Sequence, residues 1–125
     1  MKKILIAFDV DGTIRDNSKD NKNIPMLERD TYPVANEEIR TLLIILSKFK
    51  NVKILVWSGG GELYARQIVG ALGLKKYVDL YAGKHITSND GWGVAGHPTL
   101  KPDIAIDDIQ SCELGKINLI VRQKL

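Results

Sequence analysis

The chain has 125 residues, the size of one domain with a single hydrophobic core. Its 18 Lys and Arg residues against 15 Asp and Glu give a net charge of +3, which suits an anionic small molecule but is too small an excess to indicate nucleic-acid binding. Cys112 is the only cysteine, so there is no internal disulfide, and no apolar run approaches the roughly 18–20 residues of a membrane span. The N-terminus reads as a charged stub before a strand rather than a signal sequence. A soluble, cytoplasmic protein is expected.

Lys2-Lys3 lead into Ile4-Leu5-Ile6-Ala7-Phe8, a β-branched and aromatic run that predicts a buried strand. Asp9-Val10-Asp11-Gly12-Thr13 closes it. In extended backbone, residues i and i+2 share a face, so Asp9 and Asp11 are expected side by side at the strand's carboxyl end, where open α/β sheets bind ligands. Adjacent carboxylates repel, and such a pair calls for a cation, a shared proton or a phosphoryl group between them. Asp-Gly is equally a common turn dipeptide, with an Asx cap as the structural alternative.

Arg15 to Asp30 is polar and reads as loop or irregular hairpin. Asn36 is placed to cap a helix opened by Glu37 and Glu38, with Ile39, Leu42, Leu43, Leu46 and Phe49 on its buried face and Asn51 at its end. Val52 to Trp57 predicts a second strand, stopped by Ser58-Gly59-Gly60-Gly61. No Gly-Lys-Ser/Thr follows those glycines, so Gly60 and Gly61 read as a flexible lead into the next helix rather than a phosphate loop. That helix runs to about Leu72, with Ala65, Ile68, Val69 and Leu72 inward and Gly73 as its stop.

Tyr77 to Ala82 predicts a third strand, and Lys84 to Lys101 an irregular stretch. Ile104-Ala105-Ile106 forms a short fourth strand ending in Asp107-Asp108, and Ile117 to Val121 a fifth. No repeat or linker divides residues 1–125, which read as a single domain. The alternation predicts an α/β fold, a doubly wound parallel sheet of about five strands with right-handed crossovers.

All carboxyl ends of a parallel sheet lie along one edge, so Asp9 and Asp11, Ser58-Gly59 and Asp107-Asp108 can converge. This ordered set resembles the haloacid dehalogenase superfamily of phosphohydrolases. Phe8-Asp9-Val10-Asp11-Gly12-Thr13 matches that family's first motif residue for residue, Val56-Trp57-Ser58-Gly59 is similar to the second, and Ile104-Ala105-Ile106-Asp107-Asp108 to the fourth. The resemblance implies Asp9 as the nucleophile forming an aspartyl-phosphate, and Asp11 as the acid that protonates the leaving oxygen and then activates water. It further implies a Mg²⁺ site built from Asp9, the Val10 carbonyl, Asp11, Asp107 and Asp108, with Thr13, Ser58, Gly59 and a lysine on the phosphoryl oxygens.

Two lysines compete for the last role. Lys84 directly follows the predicted third strand, 23 residues before Asp107, while Lys101-Pro102 stands six residues before it; Lys84 is favoured. Members of this family usually carry a cap domain. Here the slot from Ile14 to Val34 holds about twenty residues, enough for a flap but not a folded subdomain. The chain therefore resembles the minimal, capless type, whose open site would take a bulky phosphorylated substrate or be closed by homo-oligomerisation.

Arg15, Lys19 and Lys22 in the flap could meet an anionic leaving group or simply be solvated. Trp57 is expected in the core. Trp92 could lie over the site or against the sheet. His85 and His97 have no metal-pair spacing, and Cys112 no nucleophile signature. Two other activities remain open: a phosphotransferase of the same family, and a phospho-accepting receiver domain of similar length and chemistry.

Overall fold

The computed structural model describes residues 2–87, 91–94, 101–108 and 114–122, with the backbone alone for 85–87 and 91–94. The side chains of His85 and Trp92, and His97 and Cys112 entirely, lie outside the described residues. The strands are β1 (Ile4–Asp9), β2 (Val52–Ser58), β3 (Leu80–Thr87), β4 (Gly91–Val94), β5 (Ile104–Asp107) and β6 (Ile117–Ile120). The helices are α1 (Met26–Arg29), α2 (Glu37–Ser47) and α3 (Glu62–Ala71), with single 3-10 turns at Asn17–Lys19 and Lys75–Tyr77.

One sheet holds all six strands in the order β4-β3-β2-β1-β5-β6. Five are parallel, and β4 runs antiparallel to β3 on one edge. The chain thus starts mid-sheet, winds outward through β2 to β3, and resumes on the other side of β1 with β5 and β6. The strand order reverses at β1, and the crevice beside such a switch point is where α/β sheets place their ligands.

The central strands are covered on both faces, which is why β1 and β2 read as unbroken apolar runs. Ile6, Phe8, Ile54, Val56 and Ile106 join Leu43 of α2 and Ala65, Ile68 and Val69 of α3 in one core, so both helices cover the same face. Each large side chain buried there contributes roughly 1.5–3 kcal/mol. The alternate residues Ala7, Leu55, Trp57, Ala82 and Ala105 pack with Leu114 on the opposite face, where Trp57 is buried as expected.

At the sheet's amino edge, two carboxylates prolong the ladder. The Asp103 carboxylate accepts the Leu5 N–H at 2.8 Å, and the Asp79 carboxylate accepts the Ile54 N–H at 2.9 Å. Each aspartate's own N–H returns a bond to the same residue's carbonyl. These acids fix register and stand at the opposite edge from Asp9.

Several sequence expectations shift. The third strand begins at Leu80 rather than Tyr77, because Lys75–Tyr77 closes a 3-10 turn, and it continues through Lys84 to Thr87. The stretch from Lys84 to Lys101, expected to be irregular, therefore contains a β-hairpin, and the sheet gains a sixth strand. α2 starts after Asn36 as expected, without a side-chain cap bond, and ends at Ser47. Phe49 lies beyond it and is 55% exposed instead of joining the buried stripe.

Candidate active site

β1 stops at Asp9, and the chain turns back on itself there. The Thr13 and Arg15 N–H groups both donate to the Val10 carbonyl, at 3.2 and 3.0 Å, and the Ile14 N–H to the Asp9 carbonyl at 3.4 Å. Val10 and Ile14, fully buried, pin this turn into the core. Gly12 sits at φ 77°, a conformation that costs a residue with a Cβ. Its N–H reaches the Arg15 carbonyl at 3.1 Å and Asn17 Oδ1 at 2.9 Å.

The turn departs from the extended backbone expected there: β1 ends at Asp9, and Asp11 lies past it, bridged to Arg15. The Val10 carbonyl, implied as a cation ligand, accepts two backbone N–H groups of this turn.

What gathers around Asp9 comes instead from neighbouring strands. Phe8 is in register with Ile106, so one step further Asp9 and Asp107 are neighbours across β1 and β5. On the other side Asp9 pairs with Trp57, and Ser58 with Gly83, which brings Lys84 to the same edge. Lys84 Nζ donates to Asp9 Oδ1 at 2.7 Å and to Asp107 Oδ2 at 2.9 Å, and lies 5.8 Å from the centre of the Trp57 ring. Carboxylate oxygens of Asp9, Asp107 and Asp108 lie within 4.8 Å of one another, and Asp11 is not in that group. Asp9, Lys84 and Asp107 are all buried, as are Thr13 and Ser58. Thr13 Oγ1 donates to Asp9 Oδ2 at 3.4 Å. Ser58 Oγ accepts the Gly60 N–H at 3.0 Å, which leaves its own hydrogen to donate. Gly59 is exposed, with open space where a side chain would stand.

Three carboxylates and one ammonium share this pocket of low dielectric, so negative charge is in excess. Burial, followed by the charges of Asp107 and Asp108, pushes the Asp9 carboxyl up to about 7 against the pull of Lys84. Burial and hydrogen bonding with Asp107 also raise Asp108. Burial opposes the Lys84 ammonium, yet Asp9 and Asp107 together hold its pKa above the ordinary lysine value. The opposing pair settles as a charged Lys84 among carboxyls that resist ionising together. A hard divalent cation fits this donor set, since it takes carboxylate oxygens and relieves the excess charge.

Asp11 is held elsewhere. Its side chain is 51% exposed, and one oxygen, Oδ1, accepts from Tyr64 OH at 2.7 Å and Asn17 Nδ2 at 3.0 Å, with Arg15 NH1 3.9 Å away. Arg15 is not the solvated or substrate-facing flap residue the sequence suggested. It is 1% exposed and ties Asp30 (2.7 Å), Tyr64 OH (2.9 Å), Asp20 (3.2 Å) and the Arg29 carbonyl (3.3 Å) together. Lys19 and Lys22 remain exposed. Of the two competing lysines, Lys84 is in the cluster, while Lys101 is exposed and forms no ion pair among the described residues. Sequence reasoning missed Tyr64 and the buried role of Arg15, because their partners lie 49 residues apart and share no motif.

No protein-family model matches the chain, and no curated protein is significantly similar to it. No helix among the described residues is long and apolar enough to cross a membrane.

Proposed function

We propose that the protein is a Mg²⁺-dependent phosphomonoester hydrolase of the haloacid dehalogenase type, working through an aspartyl-phosphate. The observation that carries this reading is Lys84 Nζ, from within β3, bridging Asp9 at the end of β1 and Asp107 at the end of β5, with Asp108 alongside. Buried carboxylates in excess over their counter-charge are costly to a fold and make sense as a site for a cation and a phosphoryl group.

In the first step an Asp9 oxygen attacks phosphorus, the bond to the ester oxygen breaks, and Asp11 gives its proton to the departing alkoxide. In the second, Asp11 takes a proton from water, the water oxygen attacks phosphorus, and the Asp9–phosphorus bond breaks to free phosphate and restore the carboxylate. Lys84 balances charge on Asp9 and the transferring group, and the Ser58 hydroxyl has a hydrogen to offer a phosphoryl oxygen. Mg²⁺ held by Asp9, Asp107 and Asp108 would favour their ionised forms and supply positive charge to the phosphoryl oxygens. Because the slot from Ile14 to Val34 is too short for a folded cap, a bulky phosphorylated substrate is the class expected. Topology supports this reading over the receiver alternative. Flavodoxin-like receivers order their parallel strands 2-1-3-4-5, whereas the parallel strands here, numbered along the chain, run 3-2-1-4-5.

The test is phosphate release from a panel of phosphomonoesters with and without Mg²⁺. Release that requires Mg²⁺ is expected, and no release from any ester contradicts the reading. Glycerol added as an acceptor separates hydrolysis from transfer, since a transferase would yield glycerol phosphate at the expense of free phosphate.

The cluster also sets a pH dependence. Asp9 binds a proton more tightly folded, at about 7, than at its ordinary 3.8, so its contribution to stability is full below about 4 and is lost as pH rises through 7. Asp16 and Asp103, whose pKa values are lowered, are ionised throughout pH 5–8 and leave that window flat. Mg²⁺ is therefore expected to raise the thermal midpoint more at pH 8 than at pH 5. Equal rises at both pH values would contradict the ligand set.

A further inference from the structure

Asp11 stands just past the last residue of β1, its side chain half-exposed and its backbone in a single bridge to Arg15. An acid that must meet a leaving oxygen cannot rely on a freely rotating carboxylate, because misplacement by about 1 Å can cost a hundredfold in rate. Its holder comes from α3. Tyr64 OH lies 2.7 Å from Asp11 Oδ1 and 2.9 Å from Arg15 NH1. A guanidinium can only donate, so the tyrosine oxygen must accept from Arg15, and its single hydrogen is thereby directed to Asp11. Asn17 adds a second donor to the same oxygen, and among the described residues Asp11 Oδ2 accepts none, so Oδ1 is the oxygen that is held.

The other hands of Arg15 hold the flap: Asp20, Asp30 and the Arg29 carbonyl. Gln67 of α3 adds a bond to the Asp30 carbonyl at 3.3 Å. Gly60 has a share in this. A Cβ there would stand 3.0 Å from the Tyr64 ring and 3.4 Å from Ser58 Oγ, so a side chain at 60 would make the ring give by a few tenths of an ångström.

We propose that Tyr64 is the positioning residue for Asp11 and that, through Arg15, it ties the orientation of that carboxylate to docking of the 16–30 flap. The proposal rests on the phosphohydrolase reading for its catalytic half, whereas the flap half stands without it. Tyr64→Phe keeps the ring and removes the hydroxyl. With phenyl phosphate, whose leaving group needs a proton, the first-turnover burst of phenol is expected to slow about tenfold. With p-nitrophenyl phosphate, whose leaving group does not, the corresponding burst of nitrophenol is expected to slow by no more than about twofold, while the second displacement, common to both esters, slows equally. Gly60→Ala, which presses on the ring without touching the hydroxyl, is expected to shift the same ratio in the same direction by less.

Backbone hydrogen exchange over residues 16–30 is expected to quicken in Tyr64→Phe while exchange in β1 and β2 stays as in the wild type. Equal slowing of the two bursts, or of neither, would overturn the positioning role. Unchanged exchange in the flap would overturn the coupling. If the wild type releases phosphate from neither of these esters nor from any of the panel, the phosphohydrolase reading fails and the catalytic half with it, and the exchange result alone decides the flap half.

Discussion

Asp9→Asn is expected to lower phosphate release by a factor on the order of 10⁴ while leaving the fold intact. An amide oxygen of the same shape cannot act as the attacking carboxylate, so the first displacement has no nucleophile. The fold tolerates the change because burial already works against an ionised Asp9, pushing its carboxyl up to about 7. In the absence of divalent cation the thermal midpoint at pH 8 is expected to stay level or rise. The pairing of lost turnover with retained stability separates a functional carboxylate from a structural one. Turnover equal to the wild type would remove Asp9 from the reaction.

Lys84→Met is expected to fail differently. Asp9 and Asp107 share the Lys84 ammonium at 2.7 and 2.9 Å, and all three groups are buried. Removing one partner from a buried ion pair costs about 3–5 kcal/mol, because the charge left behind has lost both water and its counter-ion. Urea unfolding without Mg²⁺ should show that loss, and phosphate release should fall with it. Lys101→Ala, at an exposed position, is expected to change stability by no more than about 0.5 kcal/mol. Equal stability of the two variants would contradict the charge balance drawn for this cluster.

Legibility in the sequence followed the range of the interactions involved. β1 and β2 announce themselves because burial on both faces forces continuous apolar runs, and the helices because their buried stripes recur at helical spacing. Lys84 was found by its distance from Asp107, but its position inside β3 was not, since a buried lysine breaks the apolar pattern that marks a strand. β4 escaped notice for a related reason: Gly91-Trp92-Gly93-Val94 has the glycines of a turn, yet pairs with β3 along its length. Asp9 and Asp11 looked like one pair on the assumption of extended backbone; the turn stabilised by Val10, Gly12 and Ile14 divides them between two settings. Arg15 and Tyr64 left no local trace, because a buried guanidinium bonded to Asp20, Asp30 and a distant hydroxyl is a property of tertiary contact.

That division sharpens the chemistry. Asp9 sits in a buried, charge-crowded cluster with Lys84, Asp107 and Asp108, and Asp11 on a half-exposed perch held by Tyr64 and Asn17. Two carboxyls two residues apart thus meet unlike environments, which fits the unlike tasks proposed for them, one to bond phosphorus and one to move protons.

The most direct measurement exploits this separation. Asp11→Asn mixed with p-nitrophenyl phosphate and Mg²⁺ can complete the first displacement without an acid, but lacks the base for the second. Acid quenching and peptide mass analysis should find one phosphoryl group on Asp9, accumulating in Asp11→Asn and missing when Asp9→Asn is added. Continued phosphate release with no phosphoryl group on the protein, or one found on another residue, would contradict the account.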